Sequence, residues 1–174
     1  MGAGIPNHKL SLSIGIMKAY STCVGEGPFT AEWFGEEAEA LRQAGAEYGA
    51  ATGRPRRVGP IDLVATRYGV QIQGATEIAL TKLDVLSYMK EIPVCVQYEI
   101  HGQKTDEFPF TAVVDEAKPV FTTMPGWGCD ISGVRKWEDL PVEARNYVEY
   151  IEKAIGCHIS YVSVGASRDE YIQR

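Results

Sequence analysis

A lysine two residues ahead of an aspartate, in Thr81-Lys82-Leu83-Asp84, is a pairing that can hold a purine base. An ionised aspartate accepts two parallel hydrogen bonds from guanine, one from N1–H and one from the exocyclic amine, and such charge-assisted bidentate pairs are strong. Adenine presents an acceptor at N1 and no amine at C2, so it leaves the carboxylate unpaired. The aliphatic stem of the lysine can lie across the purine face. The same four residues also describe a strand end followed by a solvated lysine and an N-capping aspartate, and both readings stand at this point.

Gly53-Arg54-Pro55-Arg56-Arg57 gathers three guanidinium groups into four residues behind a glycine. Arginine binds carboxylate and phosphate with fork geometry, and Pro55 lowers the entropy cost of holding the loop. The cluster keeps self-repelling charges together in an acidic chain, which suits anion binding; the alternative is a solvated basic turn or a partner-docking patch. Ser163-Val164-Gly165 lets backbone approach a flat ligand, because Gly165 has no Cβ, although a plain strand end explains it equally. Trp127 is read as a packing residue rather than a stacking platform, and Tyr147 and Tyr150 as core and rim residues of a helix. None of Cys23, Cys95, Cys129 and Cys157 has a neighbouring base to make it a nucleophile.

These groups need elements to place them. Leu10, Leu12, Ile14 and Ile16 alternate as in a half-buried strand. A Gly/Pro loop over Ser21 to Phe29 follows, then a helix over Glu36 to Tyr48 with Ala38, Leu41 and Ala44 on its apolar face. After the Gly49 to Pro60 loop, Asp62 is an N-cap for a helix running towards Gln71. Glu77 to Thr81 is a buried strand that delivers Lys82 and Asp84 at its carboxyl end. Pro93 to Glu99 and Lys104 to Phe108 form a hairpin turning at His101-Gly102, and Pro119 to Thr123 adds a strand. A helix over Pro141 to Ile155 has Asp139 as a possible N-cap and Gly156 as its stop. Cys157 to Val164 is the last strand. The alternation reads as α/β with an antiparallel excursion, and ligands gather at the carboxyl ends of strands in such sheets.

Composition bounds the rest. A chain of 174 residues, 45% hydrophobic and 23% charged, suits one globular domain or a substantial piece of a larger one. The formal net charge of −6 argues against a general nucleic-acid binder. No apolar run is long enough to span a bilayer, and Met1 to Lys9 lacks a signal-peptide h-region. The cysteines form no CxxC pair and His8, His101 and His158 are scattered, so neither a disulfide framework nor a metal site is expected, and a reducing, cytoplasmic setting is the default.

The tetrapeptide at Thr81 to Asp84 resembles the guanine-specificity motif of GTP-using proteins, and the motifs around it occur in a familiar order. Lys18-Ala19-Tyr20-Ser21-Thr22, Val24-Gly25-Glu26-Gly27-Pro28-Phe29, Thr52 to Arg57, Leu80 to Asp84, Glu107-Phe108-Pro109, Pro125-Gly126-Trp127 and Val162 to Gly165 together resemble the adenylosuccinate synthetase family. The likeness covers essentially every residue after Gly4. It implies the carboxy-terminal portion of a P-loop-GTPase-like mixed sheet with flanking helices, and a GTP-dependent carbon–nitrogen ligase of AMP biosynthesis. That enzyme transfers the GTP γ-phosphoryl group to O6 of IMP, and the amine of L-aspartate then displaces it at C6, with magnesium required. A cytoplasmic homodimer is implied, with no nucleic-acid or membrane partner.

Carried over by motif, Lys82, Leu83 and Asp84 with Ser163, Val164, Gly165 and Arg56 would bind GTP. Ala50, Ala51, Thr52, Gly53, Arg54, Pro55 and Arg56 would form the aspartate loop, with Arg54 also reaching IMP and Val24 lying near its ribose. Cys23 stands where the family commonly has arginine, Ala51 where it has threonine, Pro60 where it has tryptophan, and Ala166 where proline follows the glycine. The family's glycine-rich phosphate loop, catalytic Asp and catalytic His precede the region matched, so residues 1–174 are read as a carboxy-terminal fragment that holds no catalytic residue or metal ligand and is inactive alone. The alternative is a stand-alone guanine-nucleotide-binding module, or a structural piece complementing a separate amino-terminal half.

Overall fold

Residues 11–174 are described by a computed structural model of the chain. Leu10 of the first expected strand, His8 and the Met1 to Lys9 segment lie outside the described residues. In chain order the first elements are β1 (Ile14–Lys18), β2 (Ser21–Cys23), α1 (Gly35–Gly45), β3 (Arg57–Gly59), β4 (Ile61–Asp62), α2 (Leu63–Gln73) and β5 (Glu77–Thr81). There follow β6 (Glu91–Ile100), β7 (Gln103–Thr105), α3 (Thr111–Val114), β8 (Lys118–Pro125), α4 (Val142–Ile155), β9 (His158–Ser163) and β10 (Tyr171–Gln173).

One sheet takes the order β1-β5-β9-β10, with β1, β5 and β9 parallel and β10 antiparallel to β9. Its central strand alternates as a packed strand should: Ile78 and Leu80 are buried between half-buried Glu77, Ala79 and Thr81. A second sheet is built on the long β6, with β8 antiparallel along it, β4 parallel at Val94 and Cys95, and β7 returning through the His101-Gly102 turn. The α/β class with an antiparallel excursion is therefore what the chain adopts. β2 and β3 pair antiparallel within segments that read as Gly/Pro loops, and β10 was not anticipated. Three-residue strands are too short to show a period.

The expected end of the first helix is corrected. α1 stops at Gly45 because Ala46 turns left-handed (φ 50°), so Glu47 and Tyr48 lie beyond it. Asp139 is not a helix cap either; it closes a 3₁₀ turn, and Pro141 precedes α4 without any side-chain cap. A cap is worth about 1 kcal/mol, whereas α4 buries Tyr147, Val148, Ile151 and Ile155 at about 1.5–3 kcal/mol for each large side chain. Packing outweighs the missing cap. Gly156 ends the helix at φ 68°, as its sequence position implied. Tyr147 is buried and donates to the Ala19 carbonyl at 2.6 Å, while Trp127 packs in the core and donates to Ser87 Oγ at 2.8 Å.

Lys82-Leu83-Asp84 and Ser163-Val164-Gly165 emerge together because β5 and β9 are adjacent and parallel. Leu83 N–H donates to the Ser163 carbonyl at 3.2 Å, joining the ends of the two strands. On the other side of the core, Asp62 caps α2 by accepting from the N–H groups of Val64 and Ala65, and it also accepts from the Tyr98 hydroxyl at 2.5 Å. Burial pushes the Asp62 pKa up, against the pull of these three hydrogen bonds. Replacing Asp62 by Ala removes the cap and strands the buried Tyr98 hydroxyl. The expected loss in urea unfolding is about 2–4 kcal/mol, with Tyr98→Phe costing less than Asp62→Ala.

Candidate functional site

Just past the left-handed turn that ends α1, the Glu47 carboxylate is fully buried, the one acidic group among the described residues with no exposed side-chain surface that meets several cations. Its Oε1 accepts from Lys18 Nζ at 2.9 Å, Lys82 Nζ at 2.9 Å and the Tyr20 hydroxyl at 2.5 Å. Its Oε2 accepts from Arg56 at 2.7 Å and again from Lys18 at 3.1 Å. Burial alone would raise the pKa of Glu47, but the hydrogen bonds from Tyr20, Lys82, Lys18 and Arg56 overcome it and hold it at about 2. Burial, then the bond to Glu47, keeps the Tyr20 hydroxyl protonated far above its ordinary range, so it acts as a neutral donor. Burial lowers the Lys18 pKa, against the attraction of Glu47. One carboxylate faces three cations, a surplus of positive charge on groups that remain partly open to solvent.

The residues expected to hold a purine base lie at the ends of β5 and β9. Lys82 has φ 61°, a left-handed conformation unusual for a residue with a side chain. Its ammonium donates to the Gly45 carbonyl at 2.6 Å as well as to Glu47, so its aliphatic stem is held in place. Asp84 begins a 3₁₀ turn at Asp84–Tyr88, and its Oδ1 is buried without a hydrogen-bond partner among the described residues. Burial raises the Asp84 pKa, with Glu170 and Asp130 adding to the effect. Leu83 and Val164 are wholly buried. Val164 N–H is already donated to the Glu170 carbonyl at 2.9 Å. Ser163 Oγ donates to the Gly165 carbonyl at 2.9 Å. The space beside Gly165, expected to be open, holds the Glu170 carboxylate: a Cβ there would lie 2.2 Å from Glu170 Oε2.

The arginine cluster does not act as three like charges in one place. Arg56 goes to Glu47. Arg57 goes the other way, onto Glu32 with its Nε 2.9 Å from both carboxylate oxygens, and onto the carbonyls of Gly25 and Gly27 at 3.0 and 2.6 Å. The hydrogen bond to Glu32 raises the Arg57 pKa above its ordinary value. Arg57 therefore fastens the Val24 to Phe29 loop to β3 while bordering the cavity beside that loop. Arg54 is exposed on the turn Gly49 to Pro55, which closes on itself through Gly49 N–H to the Arg54 carbonyl and Gly53 N–H to the Gly49 carbonyl, both 2.8 Å. Ala50, Ala51, Thr52 and Gly53 form its rim. A cavity of about 620 Å³ opens between this turn and the Val24 loop, bordered by Cys23, Val24, Phe34, Thr52, Arg54 and Arg56.

Reasoning from motifs missed Glu47, Lys18 and Tyr20 as site residues. One signal was available: an acidic residue at a helix carboxyl end opposes the helix dipole, so Glu47 needed a partner elsewhere. The four cysteines are all unpaired thiols. No helix among the described residues is long and apolar enough to cross a membrane.

Comparison with known proteins places these features in a family. A family model described as adenylosuccinate synthetase matches residues 1–172. The adenylosuccinate synthetase of Bifidobacterium adolescentis is 49% identical over 173 residues, covering 99% of this chain and 40% of its own length. That of Micrococcus luteus is 49% identical over 174 residues, covering 99% of this chain and 41% of its own. A solved structure of the fully ligated adenylosuccinate synthetase from Plasmodium falciparum superposes with a TM-score of 0.93 at 37% identity, over 99% of this chain and 42% of that one. The chain thus spans about two-fifths of the length of the curated relatives it matches.

Glu47 has a measurable pH signature. A carboxylate with a folded pKa below its unfolded value stabilises the fold above the unfolded value, and the contribution is lost as pH falls through the folded one. For Glu47 the window runs from about 4.3 down to about 2. Glu47→Gln is expected to cost about 3 kcal/mol at pH 7, the scale for breaking a buried ion pair. In urea unfolding the gap between wild type and variant should narrow steadily from pH 5 towards pH 2. A gap independent of pH would mean that the carboxylate charge contributes nothing.

Proposed function

The chain belongs to the adenylosuccinate synthetase family, and from that membership we propose that its residues supply the guanine site and the substrate arginine loop of a GTP-dependent ligase joining IMP and L-aspartate. The observation that carries the reading is the buried Asp84 Oδ1, which lacks a hydrogen-bond partner among the described residues. A buried carboxylate oxygen left unpaired is costly, and a guanine N1–H and amine would satisfy the carboxylate where adenine would not. Lys82, with its ammonium tied back to Gly45 and Glu47, presents its stem for the purine face. Leu83, Ser163, Val164 and Gly165 are assigned to complete the base side.

Ala50 to Arg56 is assigned to L-aspartate, with Arg54 reaching both aspartate and IMP, Arg56 reaching GTP, and Val24 at the IMP ribose. The positive surplus around Glu47 and the exposed Arg54 on the cavity rim, which has no ion-pair partner among the described residues, suit a dicarboxylate and phosphates. Guanidinium groups fixed before the reaction stabilise the negative charge that develops as the γ-phosphoryl group moves to O6 of IMP. Among the described residues no three His, Cys, Asp or Glu side chains converge, and magnesium, which binds through one or two carboxylates together with substrate phosphates, is given no ligand here. The homodimeric, cytoplasmic setting is part of the same proposal.

GDP and ADP titrated against the chain, with the amides of Leu83, Ser163 and Gly165 as reporters, test the base assignment. GDP should shift them at lower concentration than ADP, and Asp84→Asn should erase the preference at a cost of about 1.5–3 kcal/mol in GDP binding, the scale of hydrogen bonds to a charged group. Equal response to both bases would overturn it. A protein of these 174 residues alone has no glycine-rich phosphate loop, so it should not turn over IMP, GTP and aspartate; phosphate release in such an assay would place phosphoryl transfer among residues given no part in it here.

A further inference from the structure

We propose that Glu47 is a positioning residue that ties the base-side lysine, Lys82, to the arginine turn at Arg56, so that the two ligand-facing segments are placed as one unit. The proposal deepens the function above by assigning the coupling between its two halves, and it rests on that reading only for what each half binds.

The two segments come from distant parts of the chain and share no direct hydrogen bond among the described residues. Lys82 follows β5, in the parallel sheet; Arg56 ends the turn that leads into β3. Each donates to a different oxygen of the same buried carboxylate, Lys82 Nζ to Oε1 and Arg56 to Oε2. The backbone repeats the connection: Arg56 N–H donates to the Glu47 carbonyl at 2.9 Å, and Lys82 Nζ to the Gly45 carbonyl at 2.6 Å. Lys18 takes both oxygens at once and is itself held by Thr22 Oγ1 at 2.9 Å. The carboxylate is thereby kept from turning towards one partner at the expense of the other.

The chemistry favours coupling over independent anchoring. With the carboxylate out of water, its charge is balanced by the cations together, and removal of one changes the field felt by those remaining. Lys82 also occupies a left-handed conformation that surrounding structure must enforce. A lysine released from Glu47 would lose that enforcement, and Glu47 would become free to swing towards Arg56 and Lys18. Groups that share a network show non-additive effects on substitution, whereas a residue that merely closes the end of α1 would not transmit a change at Lys82 to the arginine turn.

The test is a ligand-free double-mutant cycle on the chain, read by amide hydrogen exchange at Gly49, Gly53 and Arg56, with α4 amides as the monitor of global folding. Lys82→Met should speed exchange in the turn about tenfold in the wild-type background and less than about twofold in a Glu47→Gln background. The ammonium resonances of Lys18 and Lys82, visible while ion pairing shields them, should disappear in Glu47→Gln. Effects that simply add, or a turn indifferent to Lys82→Met, would overturn the coupling. If Glu47→Gln does not fold, Lys82→Met alone decides: faster exchange in the turn with α4 unchanged sustains the proposal, and unchanged exchange in the turn refutes it. No nucleotide is involved, so failure of the guanine assignment would show in the GDP and ADP titration and not here.

Discussion

A carboxylate taken out of water must be met by charge and hydrogen bonds from several sides, and Glu47 imposes that requirement on three segments at once. Lys18 and Tyr20 around the end of β1, Lys82 beyond β5 and Arg56 before β3 all reach it. Their separate backbones have to converge within the length of a side chain. The left-handed Ala46 that ends α1 is part of the same solution, because a helix continued to Tyr48 would carry Glu47 elsewhere. The functional region is thus organised around a buried anion, although the ligands expected there are anions themselves.

That arrangement explains how an acidic chain tolerates three arginines in four residues. The repulsion implied by Gly53 to Arg57 is resolved by sending Arg56 and Arg57 in opposite directions, to Glu47 and Glu32. Arg54 alone is left on the exposed turn. The basic cluster separates into two fasteners, Arg56 onto Glu47 and Arg57 onto the Val24 loop, and one exposed group, Arg54, and all three residues border the cavity. The departure at Cys23 sits at the edge of this second fastener, 4.0 Å from the Arg57 guanidinium. An arginine there would have added a further charge beside Arg57.

The base side depends on a different constraint, the parallel pairing of β5 with β9. It puts the carboxyl ends of both strands at the same edge of the sheet, which is where α/β sheets collect ligands. Lys82 to Asp84 and Ser163 to Gly165 meet there although eighty residues of chain separate them. The core beneath is conventional, with Ile78, Leu80, Ile159 and Val162 closing against α4. What is unusual is the polar edge, where an Asp84 oxygen has no partner among the described residues and the Glu170 carboxylate fills the space beside Gly165.

The amino-acid sequence by itself determined the α/β class, the strand Glu77–Thr81, the cap at Asp62, the stop at Gly156 and the apolar face of α4. Each follows from local rules of period, capping and turn chemistry that act over a few residues. It also determined the family, because several motifs in fixed order carry more information than any one of them. Only the tertiary structure decided where the charges go. Nothing within five residues of Glu47 shows that Lys18, Lys82 and Arg56 will share it, and nothing in Arg54 to Arg57 shows which guanidinium stays free. Ion pairs of this kind join residues tens of positions apart, and their partners are chosen by how strands and helices pack.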